Sequence, residues 1–500
     1  MYLRAGVFSL GLLIISRLLG LLRESAQAAT FGASSMGDVV IVMFTLPDLL
    51  VGVLVSGALS YVLLPAWAQQ DSDRLAAGQK KMALTLLALG LLLGTLVWLA
   101  RHTVVQFLAP GLPSEMAALS AASLGWSAAA LPLAMLAALW VTRLQHERDF
   151  VGMYAGNLVV NGLLVFGLLV FGRHGTDLNG VAVLELLGVT LLVAMLARLG
   201  WLVWRLPSTR QLPSKNEAVP TTRLTALPPA SVWAWAALSS ALVLLLPLVA
   251  RSFASSAGEG ALASFNYAWK LVELPLVLAV QLVASLAFPA ITRTQAGSPA
   301  RQQAVSLAFL VAWTLACAAV AVVATFSLPL ANVLFGWGRM GASALEVISQ
   351  WSAIGIWSLL PQAVMAVLLT VMATHGRMQA AVWVLAAGLV ALVLAGWLGQ
   401  LAGAGVMWLL NGVFTSMALV LMAFERRNIR ASIPYFACLV PLLVCTALVS
   451  LKPLFLHFSM ALAFVFCAVY GLLVTASAVV ASPVLRGLVR SKLNQESAAH

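Results

Sequence analysis

The sequence predicts an all-α integral membrane protein of about 14 transmembrane helices, arranged as two pseudo-symmetric six-helix lobes and two C-terminal helices. Three observations carry this expectation. Of 500 residues, 62% are hydrophobic and only 9% are charged, with a mean hydropathy of +1.01; a soluble domain is typically about a quarter charged. Runs such as 82–99 and 380–398 reach the roughly 20 apolar residues a spanning helix needs and lack the alternation of a β-barrel. Lys and Arg, finally, gather in alternate loops, the pattern of a polytopic chain.

Hydropathy and loop signals place spans at 5–30, 39–66, 82–100, 117–142, 152–171, 178–202, 231–256, 261–291, 302–328, 344–373, 379–399, 402–424, 433–450 and 458–481. Ala26-Gln27-Ala28 has the spacing of a signal-peptide cleavage site, but Arg17, Arg23 and Glu24 precede it; a signal peptide is uncharged there, so the first helix is expected to stay. The second and eighth spans are longer than a bilayer needs and hold Pro47 and Pro275, which predicts kinks or steep tilts. Leu206 to Pro229 is polar and contains five prolines, so it reads as a linker. The expected domains are an N-lobe, 1–205; a cytoplasmic linker, 206–230; a C-lobe, 231–425; a helix pair, 431–485; and a tail, 486–500. Phe31-Gly-Ala-Ser-Ser and Phe253-Ala-Ser-Ser each lead into a long Pro-containing span, a trace of the repeats that transporters use for alternating access.

With the N-terminus inside, 19 of the 28 Lys and Arg fall in cytoplasmic segments and four in the opposite loops. Both termini are therefore expected in the cytoplasm. The net charge of +12 is a topology signal plus attraction to anionic lipid headgroups, with no nucleic-acid module. Cys317, Cys438, Cys445 and Cys467 lie in apolar runs and read as packing residues, and no histidine has a ligand-spaced partner, so no metal site is expected. No phosphate-cradling Gly-rich loop is present, which excludes a built-in ATP motor.

An ionisable residue in a span costs about 2.5–3.5 kcal/mol on insertion scales and calls for a partner, a cavity or a function. Here these are Arg17, Arg23 and Glu24 in the first span, Asp48 in the second with Asp38 at its entrance, Glu185 and Arg198 in the sixth, Arg251 in the seventh, and Lys270 and Glu273 in the eighth. Asn266, Lys270 and Glu273 share a helix face; so do Thr45, Asp48, Gly52, Ser56 and Ser60, and these stripes are expected to face water. Arg17, Arg23, Arg251 and Lys270 are the candidate substrate cations, because an arginine fork in a wet cavity suits a diphosphate. Against this stands mutual neutralisation, as Arg17 with Glu24, Arg251 with Asp48 or Lys270 with Glu273. Glu24, Asp38, Asp48 and Glu273 are gating or ion-coupling candidates; Ser56, Ser60, Asn157, Asn161 and Asn266 are candidate cavity-lining residues.

Ser16-Arg17-Leu-Leu-Gly-Leu-Leu-Arg23-Glu24, Phe31-Gly-Ala, Asp38, Leu46-Pro-Asp-Leu-Leu50, Ser56-Gly-Ala-Leu-Ser60 and Asn266-Tyr-Ala-Trp-Lys-Leu-Val-Glu-Leu-Pro275 resemble the MurJ/MviN family of lipid II flippases. This family lies within the multidrug/oligosaccharidyl-lipid/polysaccharide exporter superfamily. Leu144 to Phe150, followed by Asn157, is similar to its fourth-to-fifth helix loop. The resemblance implies two six-helix lobes around a V-shaped cavity, with helices 433–481 shaping a groove for a polyprenyl tail. It places Arg17, Arg23 and Lys270 among the cations that engage the diphosphate, and Asp38 and Glu273 at acidic positions near the cavity or its gates. Val51-Gly52, Ser56 and Trp269 stand where the family usually carries charge.

Those departures point to an undecaprenyl-diphosphate-linked saccharide for exopolysaccharide, capsule or O-antigen as the expected substrate, flipped across the bacterial inner membrane. Lipid II is the alternative. A polytopic glycosyltransferase or ligase is the rival of another class, and the short loops on the outer side argue against it. No cofactor is expected, with coupling to membrane potential or a monovalent cation as the energy source. Expected partners are the lipid-linked saccharide, membrane lipids, and a polysaccharide polymerase or glycosyltransferases.

Overall fold

In hydrocarbon a backbone amide finds no water, so a long apolar segment satisfies its N–H and C=O groups by folding on itself as helix. The computed structural model accordingly contains only helices and connections among the residues it describes, which are 2–67, 72–174, 180–209, 229–292, 294, 298–430, 432–455 and 459–487. The expected linker core, 210–228, the last 13 residues of the tail and the side chain of Ser56 lie outside them.

The helices are α1 (Tyr2–Phe31), α2 (Ser35–Val53), α3 (Leu59–Trp67), α4 (Ser72–Leu99), α5 (Arg101–Leu108), α6 (Ser114–His146), α7 (Phe150–His174), α8 (Gly180–Thr209) and α9 (Ala230–Ala254), followed by α10 (Ala261–Thr292), α11 (Pro299–Phe335), α12 (Ala342–Gly355), α13 (Leu359–Thr374), α14 (Met378–Leu398), α15 (Ala404–Ile429), α16 (Tyr435–Ser450) and α17 (Met460–Ala481). Eleven spans among the described residues are long and apolar enough to cross a membrane, and α16 is a shorter apolar helix. Joining α2 to α3 and α12 to α13 as continuous rods, and setting aside the eight-residue α5, yields the expected set of about 14. The chain divides into two units, residues 1–263 with 337–341, and residues 264–336 with 342–500.

In the first unit α6 is the hub, packing against α2, α4 and α8. Its inner face is small: Ser120, Ser123, Ser127, Ala130, Ala134, Ala137 and Ala138 are all buried. Close approach is most demanding against α4, where a methyl group on Gly90 or Gly94 would lie 2.5 Å from Pro132 or 2.6 Å from the Ala128 carbonyl oxygen, the small-residue packing typical of membrane helices. The second span is interrupted not at Pro47, which lies inside α2, but further on by a π turn, Leu54–Ala58, between α2 and α3. Such a turn shifts the hydrogen-bond register and leaves carbonyls to other donors. Ser240 of α9 donates to the Val53 carbonyl, and Ser60 donates to that of Val55.

In the second unit the 37-residue α11 is the hub, packing on α12, α13, α16 and α17. It kinks at Phe326 (φ −108°, ψ 27°), three residues before Pro329, which has no N–H to donate to Thr325. The Lys452 amine reaches the neighbouring Ala324 carbonyl at 3.0 Å. Pro275, by contrast, lies in an unbroken α10.

Candidate substrate site

Arg23 and Glu24 are adjacent on α1 and both buried, at 9% and 6% exposed. Side-chain length overrides the angle between them. The Arg23 guanidinium bends back to donate to Glu24 Oε1 at 2.9 Å and across to Asp48 Oδ2 of α2 at 2.7 Å. Its other terminal nitrogen lies 3.4 Å from Asp48 Oδ1, and the guanidinium sits 5.8 Å from the Phe44 ring centroid. Glu24 is enclosed, but the Asp48 side chain is 46% exposed. The site is thus a buried cation held between one closed and one open carboxylate.

Two further arginines surround it. Arg251 of α9 donates to the Thr45 hydroxyl at 2.6 Å and lies within electrostatic reach of Glu24, Asp48 and Asp38. Arg198 of α8 is only 4% exposed and faces Asp48 electrostatically. Arg198 was not among the substrate cations expected from the sequence; its burial was legible only once α8 packed. Arg23, Arg198 and Arg251 thus gather around Glu24 and Asp48, with Asp38 within reach of Arg251, and three forked donors so close together suit an anionic ligand.

The α2 stripe differs from expectation. Thr45 is bonded by Arg251, Ser240 reaches Val53, and a methyl on Gly52 would meet Leu244 at 3.0 Å. The small and polar face is therefore largely a seam with α9, and Asp48 is its open point. The pairings also differ: Arg23 takes both Glu24 and Asp48, the partners expected for Arg17 and Arg251. Arg17 is exposed and acts electrostatically on Tyr154.

Asp38 has a structural placement, 2% exposed, accepting from the Gly260 N–H at 3.1 Å and the Ala263 N–H at 2.7 Å. It caps the start of α10, whose first N–H groups have no intrahelical acceptor. Asn161 donates to the Asn157 carbonyl at 3.0 Å, one turn back on α7. Ser60, bonded to Val55, also lies 3.0 Å from Gln145 Oε1. In the loop after α6, Asp149 accepts from the Gly152 N–H and from Arg205 Nε at 2.6 Å, so this part of the resembling motif caps α7 and ties it to α8.

The other expected residues belong to the second unit. Lys270 donates to Glu273 at 2.8 Å, both half-buried on α10, and Asn266 is 8% exposed one turn earlier. The same unit holds a knot that sequence reasoning missed. Glu425 is 0% exposed; its Oε2 lies 2.6 Å from Asn428 Nδ2 and 3.2 Å from His375 Nδ1, and Arg377 is 3.5 Å from Oε1. His375 Nε2 is 3.1 Å from Arg301, which also donates to Thr374 at 2.6 Å. Arg301, His375 and Glu425 are 50 to 124 positions apart in sequence. The one available signal was a lone acid, Glu425, beginning a run of arginines.

The polytopic helical bundle with arginines buried in its spans has the fold of solved membrane transporters. The fold superposes on "Lipid II flippase MurJ, inward closed conformation" with a TM-score of 0.77 at 14% identity, covering 94% of this chain and 98% of that one. It also superposes on an inward-facing multidrug resistance MATE family transporter of the MOP superfamily, with a TM-score of 0.66 at 15% identity over 83% of this chain and 95% of that one. The family model described as "Lipid II flippase MurJ" matches residues 27–476, and the chain belongs to that family. The match begins just after Arg17, Arg23 and Glu24. The probable lipid II flippase MurJ of Rickettsia prowazekii (strain Madrid E) is 32% identical over 111 residues, 22% of this chain and 22% of that relative's length. The chain is thus a multi-pass membrane transporter of the flippase family rather than an enzyme.

Proposed function

We propose that the chain flips lipid II, the undecaprenyl-diphosphate-linked precursor of peptidoglycan, from the cytoplasmic to the outer leaflet of the bacterial inner membrane. The observation that carries this reading is the family match over 27–476; it favours lipid II over the exopolysaccharide precursor to which the missing charges at Val51-Gly52, Ser56 and Trp269 pointed. The physics fits the class of ligand. A diphosphate needs forked donors that stay charged when partly dehydrated, and Arg23 is held ready by Asp48, whose open face gives water or a ligand access. An arriving diphosphate would compete with Asp48 for the fork, leaving Glu24 to hold the arginine in place.

Alternating access moves the head while the tail stays in lipid, with 1–205 and 231–425 as the proposed halves and 431–485 as the tail-side pair. Both termini lie in the cytoplasm on this reading, as the positive loops require. Energy comes from the membrane potential, worth about 2.3 kcal/mol per elementary charge per 100 mV, or from a monovalent cation carried at Asp48 or Glu273. The test is rescue of a strain depleted of its own lipid II flippase. Growth with the wild-type chain is expected; absence of rescue by protein that reaches the membrane, together with restored exopolysaccharide in an export mutant, would move the substrate to the second reading.

A further inference from the structure

In the second unit a cavity of about 480 Å³ lies between α11, α12, α15, α16 and the 3₁₀ turn Lys452–Phe455. One stripe of α12 and its extension lines it: Glu346, then Ser349 and Gln350, then Ile354, then Trp357. These positions recur at helical spacing and descend roughly 16 Å from Glu346 in the second turn of α12. Along that descent the wall changes from charged to polar to apolar. Lys452 enters the cavity wall from the connection between α16 and α17. The gradient specifies a ligand with a polar end at the start of α12 and an apolar end deeper in the unit. Leu328 and Trp408, 40% and 60% exposed, also lie in the wall, and on membrane-spanning helices such exposed apolar groups border hydrocarbon. The ligand therefore enters from the bilayer.

The two charges identify the polar end. Lys452 and Glu346 line one cavity, yet among the described residues no ion pair joins either of them to a neighbour. The Lys452 amine spends a hydrogen bond on the Ala324 carbonyl and keeps two donors. Burial pushes this amine below its usual pKa, a penalty that an anionic oxygen beside it would relieve. A singly anionic headgroup would satisfy Lys452 and leave Glu346 facing like charge.

We propose that this cavity binds a zwitterionic glycerophospholipid of the phosphoethanolamine class, its phosphate on Lys452, its primary ammonium on Glu346 and Gln350, and its acyl region against Ile354 and Trp357. A quaternary ammonium fits less well, because it has no N–H to donate to the carboxylate. By the positive-inside pattern the site lies at the outer-leaflet end of the unit, so the bound lipid would support helices at the α11 kink. The proposal is independent of which lipid-linked saccharide is transported.

The test uses the purified full-length protein, equilibrated with an equimolar mixture of dioleoyl phosphatidylethanolamine, phosphatidylglycerol and phosphatidylcholine and examined by native mass spectrometry. The wild type should retain phosphatidylethanolamine over each of the others by about tenfold, the order of one charge-assisted hydrogen bond. Glu346→Gln should abolish the preference over phosphatidylglycerol, Lys452→Gln should weaken retention of all three, and Lys452→Arg should keep it. The thermal midpoint, with and without added phosphatidylethanolamine, separates loss of the site from loss of the fold: only variants that remain folded but no longer gain stability from the lipid support the assignment. Equal retention of the three lipids by the wild type, a preference for either competitor, or folded Glu346→Gln and Lys452→Gln variants that bind like wild type would overturn it.

Discussion

The arginine site of the first unit and the Glu425 knot of the second use the same chemistry with opposite access. In the first a buried arginine is shared by two carboxylates, Glu24 and Asp48; in the second a buried carboxylate is shared by His375, Arg377 and Asn428. Asp48 leaves nearly half of its side chain open, whereas Glu425 is sealed at 0% exposure. An open carboxylate can surrender its cation to an incoming anion; a sealed one can only hold helices together. Burial of ionic groups is therefore no mark of a substrate site by itself. What distinguishes the two is which member is open: in the Arg23 cluster it is a carboxylate, Asp48, whose place an anion can take, whereas in the Glu425 knot it is a cation, Arg377, and the carboxylate is closed.

The largest effect expected from this difference is at Arg23. Arg23→Ala takes from buried Glu24 and from Asp48 the guanidinium that donates to both, a loss of about 3 kcal/mol, and it removes the fork, so rescue of a flippase-depleted strain should fail. Arg23→Lys separates the two consequences. The charge on Glu24 is answered, but the planar bidentate donor is gone, and the variant should melt close to wild type while rescue falls at least tenfold. Full rescue by Arg23→Lys would reduce the site to a point charge.

Glu425 comes next and should reverse the pattern. Glu425→Ala takes the common acceptor from His375, Asn428 and Arg377, with an expected loss of about 3 kcal/mol of stability. Transport per folded molecule should be unchanged. Thermal unfolding in detergent, paired with transport in proteoliposomes normalised to folded protein, reads both quantities. A folded Glu425→Ala protein with impaired transport would show that the sealed knot participates in the cycle.

The two regions were also unequally legible in the sequence. Apolar length and loop charge were enough to place the helices, because hydrocarbon leaves a chain few ways to satisfy its backbone. Arg23, Asp48 and Arg251 stood out because an ion in an apolar run is conspicuous. Their partners did not: helical angle separates Arg23 from Glu24, but a side chain with four rotatable bonds can fold back on its neighbour. The stripe of Thr45, Gly52 and Ser60 read as a wet face because small residues serve equally for water and for close packing; α9 decides the matter for Thr45 and Gly52, and Gln145 of α6 for Ser60. Glu425, His375 and Arg301 sit at helix ends, where charge is ordinary, and only tertiary packing shows that they meet.

The smallest effect is expected at Lys270 and Glu273, and it sharpens the comparison most. Their ion pair is local, three residues apart on α10, with side chains 27% and 34% exposed. Pairs of this kind contribute about 0–1 kcal/mol, because water screens the charges and the pair forms at an entropic cost. Glu273→Gln should therefore leave the melting temperature within a few degrees of wild type. If Glu273 merely neutralises Lys270, transport too should persist, with its dependence on the ion gradient intact. If Glu273 carries the coupling cation, Glu273→Gln should keep its stability and lose that dependence, in proteoliposomes where the gradient is set externally. Because the stability term is small, any large change in gradient dependence belongs to the transport cycle rather than to the fold.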